Sequence, residues 1–184
     1  MPTTRPELFA RLSELGIATR TVEHRPVFTV AESETLERDL PGGHTKNLFL
    51  KDAKDRLFLV TAESHTKIDL KSLHKVVGCA RLSFGNLELL QEVLGVAPGS
   101  VTPFALINDH AHRVSFVLDA QLMEFGRINC HPLENTATTN VACQDLLRFI
   151  RSCGHEPRIL DLSGESQRDG GSPAQPRAAA RPSR

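Results

Sequence analysis

With 184 residues, 40% hydrophobic and 24% charged, the chain suits one globular core with a tail. Lysine plus arginine balance aspartate plus glutamate at 22 each, which excludes a whole-molecule field toward DNA or membrane and leaves any nucleic-acid contact to a local patch. No apolar run approaches membrane-spanning length, and Met1 to Pro6 lacks the basic-then-apolar order of a signal peptide, so a cytoplasmic protein is expected.

In chain order, Thr4 and Glu7 form a T-x-x-E capping box, Pro6 stands in the first turn, and Leu8, Leu12 and Leu15 share a face up to Gly16, which predicts a helix. Thr19 to Val22 is a short strand, and Pro26 forces an extended bend after it. Thr29 and Glu32 form a second capping box and predict a helix from Val30 to about Arg38. Pro41-Gly42-Gly43-His44 reads as a flexible segment, with Lys46 and Asn47 at the mouth of the strand that follows. Asn47 to Lys51 and Leu57 to Ala62 read as a β-hairpin. Helices are predicted over Ile68 to Val77 and Asn86 to Gly95, each with a glycine stop, with a short strand near Ala80 to Phe84 between them.

Gly99-Ser100-Val101-Thr102-Pro103 is a G-x-x-x-P loop ahead of an apolar run, Phe104 to Ile107, read as a strand with Val114 to Leu118 pairing back on it. Phe125 to Asn129 and Thr136 to Val141 read as strands, Cys143 to Cys153 as the last helix, and Arg158 to Leu162 as a final strand. The composition then turns to Gly, Ser, Pro, Ala, Gln and Arg. One domain over residues 1–162 and a disordered tail over 163–184 are therefore expected. Hairpins interrupted by helices, without βαβ regularity, predict an α+β domain with a mostly antiparallel, barrel-like sheet flanked by helices.

No GxSxG, HExxH, Walker or GxGxxG pattern occurs, so hydrolase elbows, zincins, phosphate loops and Rossmann chemistry lose their usual support. Cys79, Cys130, Cys143 and Cys153 form no CxxC pair and read as reduced thiols; His110 and His112 lack a further ligand set. No metal or cofactor is expected. What remains is Lys46 with Asn47, the Gly99 to Pro103 loop, Arg81, and His131 beside Pro132. Successive amides of a glycine- and proline-bounded loop suit an oxyanion hole, although most such loops are only turns. Lys46 fits an anchor for phosphate, a group polarising an ester, or an edge-strand lysine that discourages aggregation. His131 is left with three roles: general base, pocket wall, or solvent-facing loop residue.

From roughly Pro6 to Leu162 the order of motifs resembles the YbaK/prolyl-tRNA-synthetase-associated domain superfamily, the freestanding relatives of the editing domain inserted in bacterial prolyl-tRNA synthetase. The resemblance rests on His24-Arg25-Pro26-Val27, Lys46-Asn47-Leu48-Phe49-Leu50, Ile68-Asp69-Leu70-Lys71, Gly99 to Phe104, His131-Pro132 with Asn135-Thr136-Ala137-Thr138, and Gly154-His155-Glu156-Pro157. It implies trans-editing, the hydrolysis of the ester joining a wrong amino acid to proline tRNA, without cofactor or metal. Asn47 after Lys46 resembles the alanine-removing branch, whereas cysteine-removing relatives usually carry Lys-Thr there.

On this resemblance Lys46 holds the acceptor end or polarises the carbonyl, and amides from Gly99, Ser100, Val101 and Thr102 stabilise the oxyanion. Asn47, Pro103 and His131 shape the pocket, and Arg81, with Arg20, Lys67 and Lys71, contacts the acceptor stem. The implied partners are tRNA(Pro) and, as a docking partner, prolyl-tRNA synthetase. The competing expectations are removal of cysteine from the same tRNA, and a nucleic-acid-binding or regulatory relative without catalysis.

Overall fold

Local signals in the sequence start and stop most of the helices. In the computed structural model, which describes residues 1–26, 35–36 and 38–163, helix Arg5–Glu14 begins where Glu7 Oε2 accepts from both the amide and the hydroxyl of Thr4, each at 2.7 Å. Asp69 accepts the Lys71 amide to open helix Leu70–Val77, and Asn86 accepts the Leu89 amide to open helix Leu87–Leu94. Gly78 and Gly95 close these two helices in the left-handed conformation that glycine adopts without cost. Helix Cys143–Ser152 buries Leu146, Leu147, Phe149 and Ile150. A short helix, Ala120–Glu124, capped by the Asp119 side chain, adds to those anticipated. The helix expected over Val30 to Arg38 falls largely outside the described residues, and the tail from Gly164 to Arg184 wholly outside them.

The strands are β1 (Thr19–Glu23), β2 (Gly43–Asp52), β3 (Leu57–Glu63), β4 (Leu82–Phe84), β5 (Val114–Asp119), β6 (Arg127–Cys130), β7 (Ala137–Ala142) and β8 (Arg158–Leu160). They form one sheet in the order β1-β7-β6-β2-β3-β5-β8, with β4 pairing β2. The sheet is mixed and not purely antiparallel: β2 with β6, β3 with β5 and β5 with β8 run parallel, while β1 with β7, β6 with β7, and β2 with β3 and β4 run antiparallel. Its end strands, β1 and β8, share no ladder among the described residues.

The expected pairing of Phe104 to Ile107 with Val114 to Leu118 is absent. Pro103–Asn108 is a 3₁₀ helix whose Pro103, Phe104, Ala105 and Leu106 are all buried, and a short apolar run buried on every side carries no period to distinguish strand from helix. Val114–Asp119 instead lies between β3 and β8.

All seven residues of β3 are buried, because both faces of the sheet are covered. Leu57 and Leu59 point into the larger core, with Phe49, Phe104, Phe116 and Phe149. Phe58, Val60 and Ala62 point into a smaller core capped by Leu73 and Val77 of helix Leu70–Val77. Phe104 and Phe149 meet edge to face at 5.4 Å between centroids, a favoured aromatic geometry. β2 pairs with β3 along one edge from Thr45 to Lys51, but its other edge is divided: β6 takes Gly43 and His44, β4 takes Leu50 to Asp52, and no ladder covers Thr45 to Phe49. That uncovered stretch carries Lys46 and Asn47.

Candidate active site

Pairing with β6 starts β2 at Gly43, so Lys46 and Asn47 lie inside the strand and not at its mouth. Neighbouring strand residues point to opposite faces. Asn47 Oδ1 accepts the Thr61 hydroxyl at 2.6 Å, on the face of the larger core. The Lys46 ammonium donates to the Thr66 carbonyl, on the face covered by helix Leu70–Val77. The two residues read as one corner thus serve two faces of the same strand.

The β2–β6 register, Gly43 with Ile128 and His44 with Asn129, directs the uncovered edge toward the loop that begins at His131. Thr45 continues the contact by donating to the Asn129 carbonyl at 2.8 Å. Its other acceptor, Cys130 Sγ, lies 3.8 Å away. Burial pushes the Cys130 thiol up to about 12, so it is no thiolate nucleophile near neutral pH. All four cysteines are free, and among the described residues no cluster of His, Cys, Asp or Glu could hold a metal ion.

His131 is half-buried, and its Nδ1 lies 2.9 Å from the Ala137 carbonyl. A neutral ring must therefore donate from Nδ1, which leaves the Nε2 lone pair available. Burial, opposed in part by the Ala137 carbonyl and reinforced by neighbouring His24, holds the His131 pKa below the ordinary imidazole value of 6.5. His24 stands beside it with ring centroids 6.3 Å apart, tied to Thr138 Oγ1 at 2.8 Å and, through its amide, to the Thr136 carbonyl at 2.9 Å. His24 belonged to a recognised motif but was not among the expected site residues; apart from the adjacent Arg25 carbonyl, its partners named here lie more than a hundred positions away.

The Gly99 to Pro103 segment reaches the same loop. A Cβ at Gly99 would meet Asn135 Nδ2 at 3.2 Å, so glycine permits the close approach. Pro98–Ser100 is a single 3₁₀ turn closed by the Ser100 amide on the Ala97 carbonyl. Val101 and Thr102 are extended, and the Thr102 hydroxyl accepts the Phe104 amide. The amides of Val101 and Thr102 have no protein acceptor among the described residues. N–H groups without a protein acceptor on a glycine- and proline-bounded loop are candidate donors to an oxyanion, although extended backbone turns successive ones to opposite sides.

The expected RNA-contacting cations are dispersed. Lys67 follows Thr66, the residue that holds Lys46, and Lys71 begins the adjoining helix; both are exposed. Arg81 stands at the far end of β2, where its carbonyl accepts the Ala53 amide at 3.0 Å. It lines a cleft of about 390 Å³ with Lys51, Asp52 and Asp55. Arg20 lies on β1 opposite Asn140.

Residues 24–149 match the aminoacyl-tRNA editing domain family, and the chain belongs to that family. It is 36% identical over 156 residues to the prolyl-tRNA editing protein ProX of Acetoanaerobium sticklandii, covering 84% of this chain and 95% of that protein. It is 42% identical over 160 residues to prolyl-tRNA synthetase associated domain-containing protein 1 of Danio rerio, covering 86% of this chain and 87% of the other. Among solved structures, "Crystal structure of a putative trans-editing enzyme for prolyl tRNA synthetase" superposes with a TM-score of 0.64 at 18% identity, over 88% of this chain and 99% of that one. At that identity the likeness speaks for the fold. The family makes the chain an editing-type hydrolase. No helix among the described residues is long and apolar enough to cross a membrane.

The depressed His131 pKa has a measurable consequence. Below pH 6.5 the unfolded chain takes up a proton at this side chain that the folded site resists, so stability is expected to fall as pH drops from 6.5 toward the lower folded value. Melting temperatures of the wild type and His131→Asn between pH 5 and 8 check this. The wild type should lose more than the variant over that range, and parallel curves would refute it.

Proposed function

We propose that the protein removes alanine from mischarged proline tRNA by hydrolysing the aminoacyl ester. The observation that carries this reading is the convergence of the Gly99 to Pro103 loop, with its unengaged Val101 and Thr102 amides, on the loop that holds His131 and Asn135. The Lys46-Asn47 pair on the uncovered edge of β2 supports it, as do relatives named for prolyl-tRNA editing and for association with prolyl-tRNA synthetase.

Water adds to the ester carbonyl carbon, and the developing oxyanion is met by backbone amide donors of the Gly99 to Thr102 segment. The carbon–oxygen bond to the terminal ribose then breaks, and the ribose oxygen takes up a proton as free alanine leaves. The neighbouring ribose hydroxyl orients the water. Lys46, held at one end of its reach by Thr66, positions the acceptor end or polarises the carbonyl. Asn47, Pro103 and a neutral His131 form a pocket sized for a methyl group. A small pocket rejects a larger side chain such as proline more strongly than a large pocket would reject a smaller one. Arg81, Arg20, Lys67 and Lys71 contribute salt-sensitive contacts to the acceptor stem. Action in the cytoplasm, with prolyl-tRNA synthetase nearby, completes the reading.

Incubation with proline tRNA charged with alanine, cysteine, serine or proline tests the proposal. Release of alanine at least tenfold faster than cysteine or serine, with prolyl-tRNA left intact, is expected. Preferential release of cysteine would reassign the substrate, and no release from any of the four would make the protein a binding relative.

A further inference from the structure

Phe84 and Leu87 are 65% and 66% exposed, and they flank the Gly85-Asn86 turn between β4 and helix Leu87–Leu94. The turn is fixed in place. Gly85 donates its amide to the Phe49 carbonyl at 2.9 Å, and a Cβ at position 85 would strike Phe49 Cδ1 at 2.5 Å. Asn86 caps the helix that follows. A large aromatic ring is therefore held out into water by rigid elements.

Register relates this ring to Lys46. Leu50 and Phe84 are directly opposed in the β2–β4 ladder, so their side chains share a face of the sheet. The period of two puts Lys46 and Leu48 on that same face. Lys46 is four residues from Leu50, which places it about 13 Å away along the strand at ~3.3 Å per residue. Thr66, whose carbonyl holds the Lys46 ammonium, leads into exposed Lys67 and Lys71, and helix Leu70–Val77 packs over this face. One side of the sheet thus carries cations at one end and an exposed aromatic at the other.

We infer that Phe84, with Leu87 beside it, is a stacking platform for a nucleobase in the unpaired 3′ segment of the RNA whose ester lies near Lys46. The inference rests on the editing reading above and assigns it a further contact. Single-stranded nucleic acid is held by cations that follow its phosphates and by aromatic rings on which its bases stack. Helix Leu70–Val77 covers the sheet between the two ends, so the RNA segment passes over the outer side of that helix, by exposed Lys71, and spans more than the ~13 Å counted along β2. Inside a paired stem both faces of each base are already stacked, so the ring suits an unpaired base. Phenylalanine offers no hydrogen bond, so the platform accepts any base.

Equilibrium binding of a fluorescently labelled, non-aminoacylated single-stranded RNA ending in CCA, followed by anisotropy, tests this without requiring turnover. Phe84→Ala is expected to bind about tenfold more weakly than wild type, and Phe84→Trp as tightly or more so. In turnover, Phe84→Ala should raise KM for alanyl-tRNA(Pro) with little change in kcat, and leave hydrolysis of an alanyl ester of adenosine alone unchanged. Equal RNA affinity of wild type and Phe84→Ala overturns the inference. So does an equal loss on both substrates, which would make Phe84 merely structural, or unchanged RNA affinity with an altered sedimentation coefficient, which would assign the shelf to a second copy of the chain. Should the wild type cleave no aminoacyl-tRNA, the editing reading falls and the binding comparison still decides the platform.

Discussion

Lys46→Ala is expected to lower kcat/KM for alanyl-tRNA(Pro) by about a hundredfold or more, while shifting the unfolding midpoint only slightly. The ammonium reaches the Thr66 carbonyl and has no carboxylate partner among the described residues, so its removal strands no buried charge. Loss of one group that stabilises charge developing at a reacting carbonyl typically costs ~3 kcal/mol of barrier, which is the hundredfold. The folding side is smaller: one charge-assisted bond to the Thr66 carbonyl, about 1.5 kcal/mol. Single-turnover deacylation together with a urea melt separates the two. Activity within threefold of wild type, with an unchanged melt, would take Lys46 out of the chemistry.

The largest effect on stability should come from Asp52→Ala. Its Oδ1 accepts the amides of Lys54 and Arg56 at 2.9 and 3.0 Å, while Oδ2 accepts Arg56 Nε at 2.8 Å and the Ala80 amide at 3.2 Å. One buried carboxylate thereby closes the β2–β3 turn and ties the lead-in to β4 onto it. Burial alone would raise its pKa, but the bonds from the Arg56 side chain and amide and from Lys54 and Ala80 outweigh it and hold the group at about 2. Truncation leaves several donors without their acceptor, at a cost of about 3 kcal/mol. Because the folded pKa is depressed, this contribution is complete above about pH 3.8 and is lost as pH falls toward 2. The gap between wild type and variant in urea unfolding should therefore narrow between pH 5 and pH 2.5. A gap below 1 kcal/mol at pH 7 would contradict it.

Signals confined to a few neighbouring residues were readable in the sequence. The Thr4–Glu7 box and the glycine stops at 78 and 95 each depend on atoms within one turn, and each places its helix within a residue or two. The pairing of β3 with β5 joins Leu57 to Val114 in parallel, and nothing near either residue encodes it. That long-range ladder is why the sheet is mixed. The candidate site divides in the same way. Lys46, Asn47, the Gly99 loop and His131 carry residue types that invite attention wherever they stand. His24 and Asn135 gain meaning only when folding brings one beside His131 and the other beside Gly99. The splitting of Lys46 and Asn47 between two faces was available from the alternation of any strand, once the strand was known to begin at Gly43.

The divided edge of β2 also sets where the sheet is most thinly paired. The β1-β7-β6 half joins the rest of the sheet through just two register pairs, at Gly43 and His44, whereas β2 and β3 are zipped over seven. Side chains reinforce this junction, with Thr45 Oγ1 donating to the Asn129 carbonyl and Ile128, Cys130 and Val141 packing into the core that holds Phe49 and Leu59. The fold thus leaves a thinly paired seam between the strand that carries Lys46 and the strand that leads into the His131 loop.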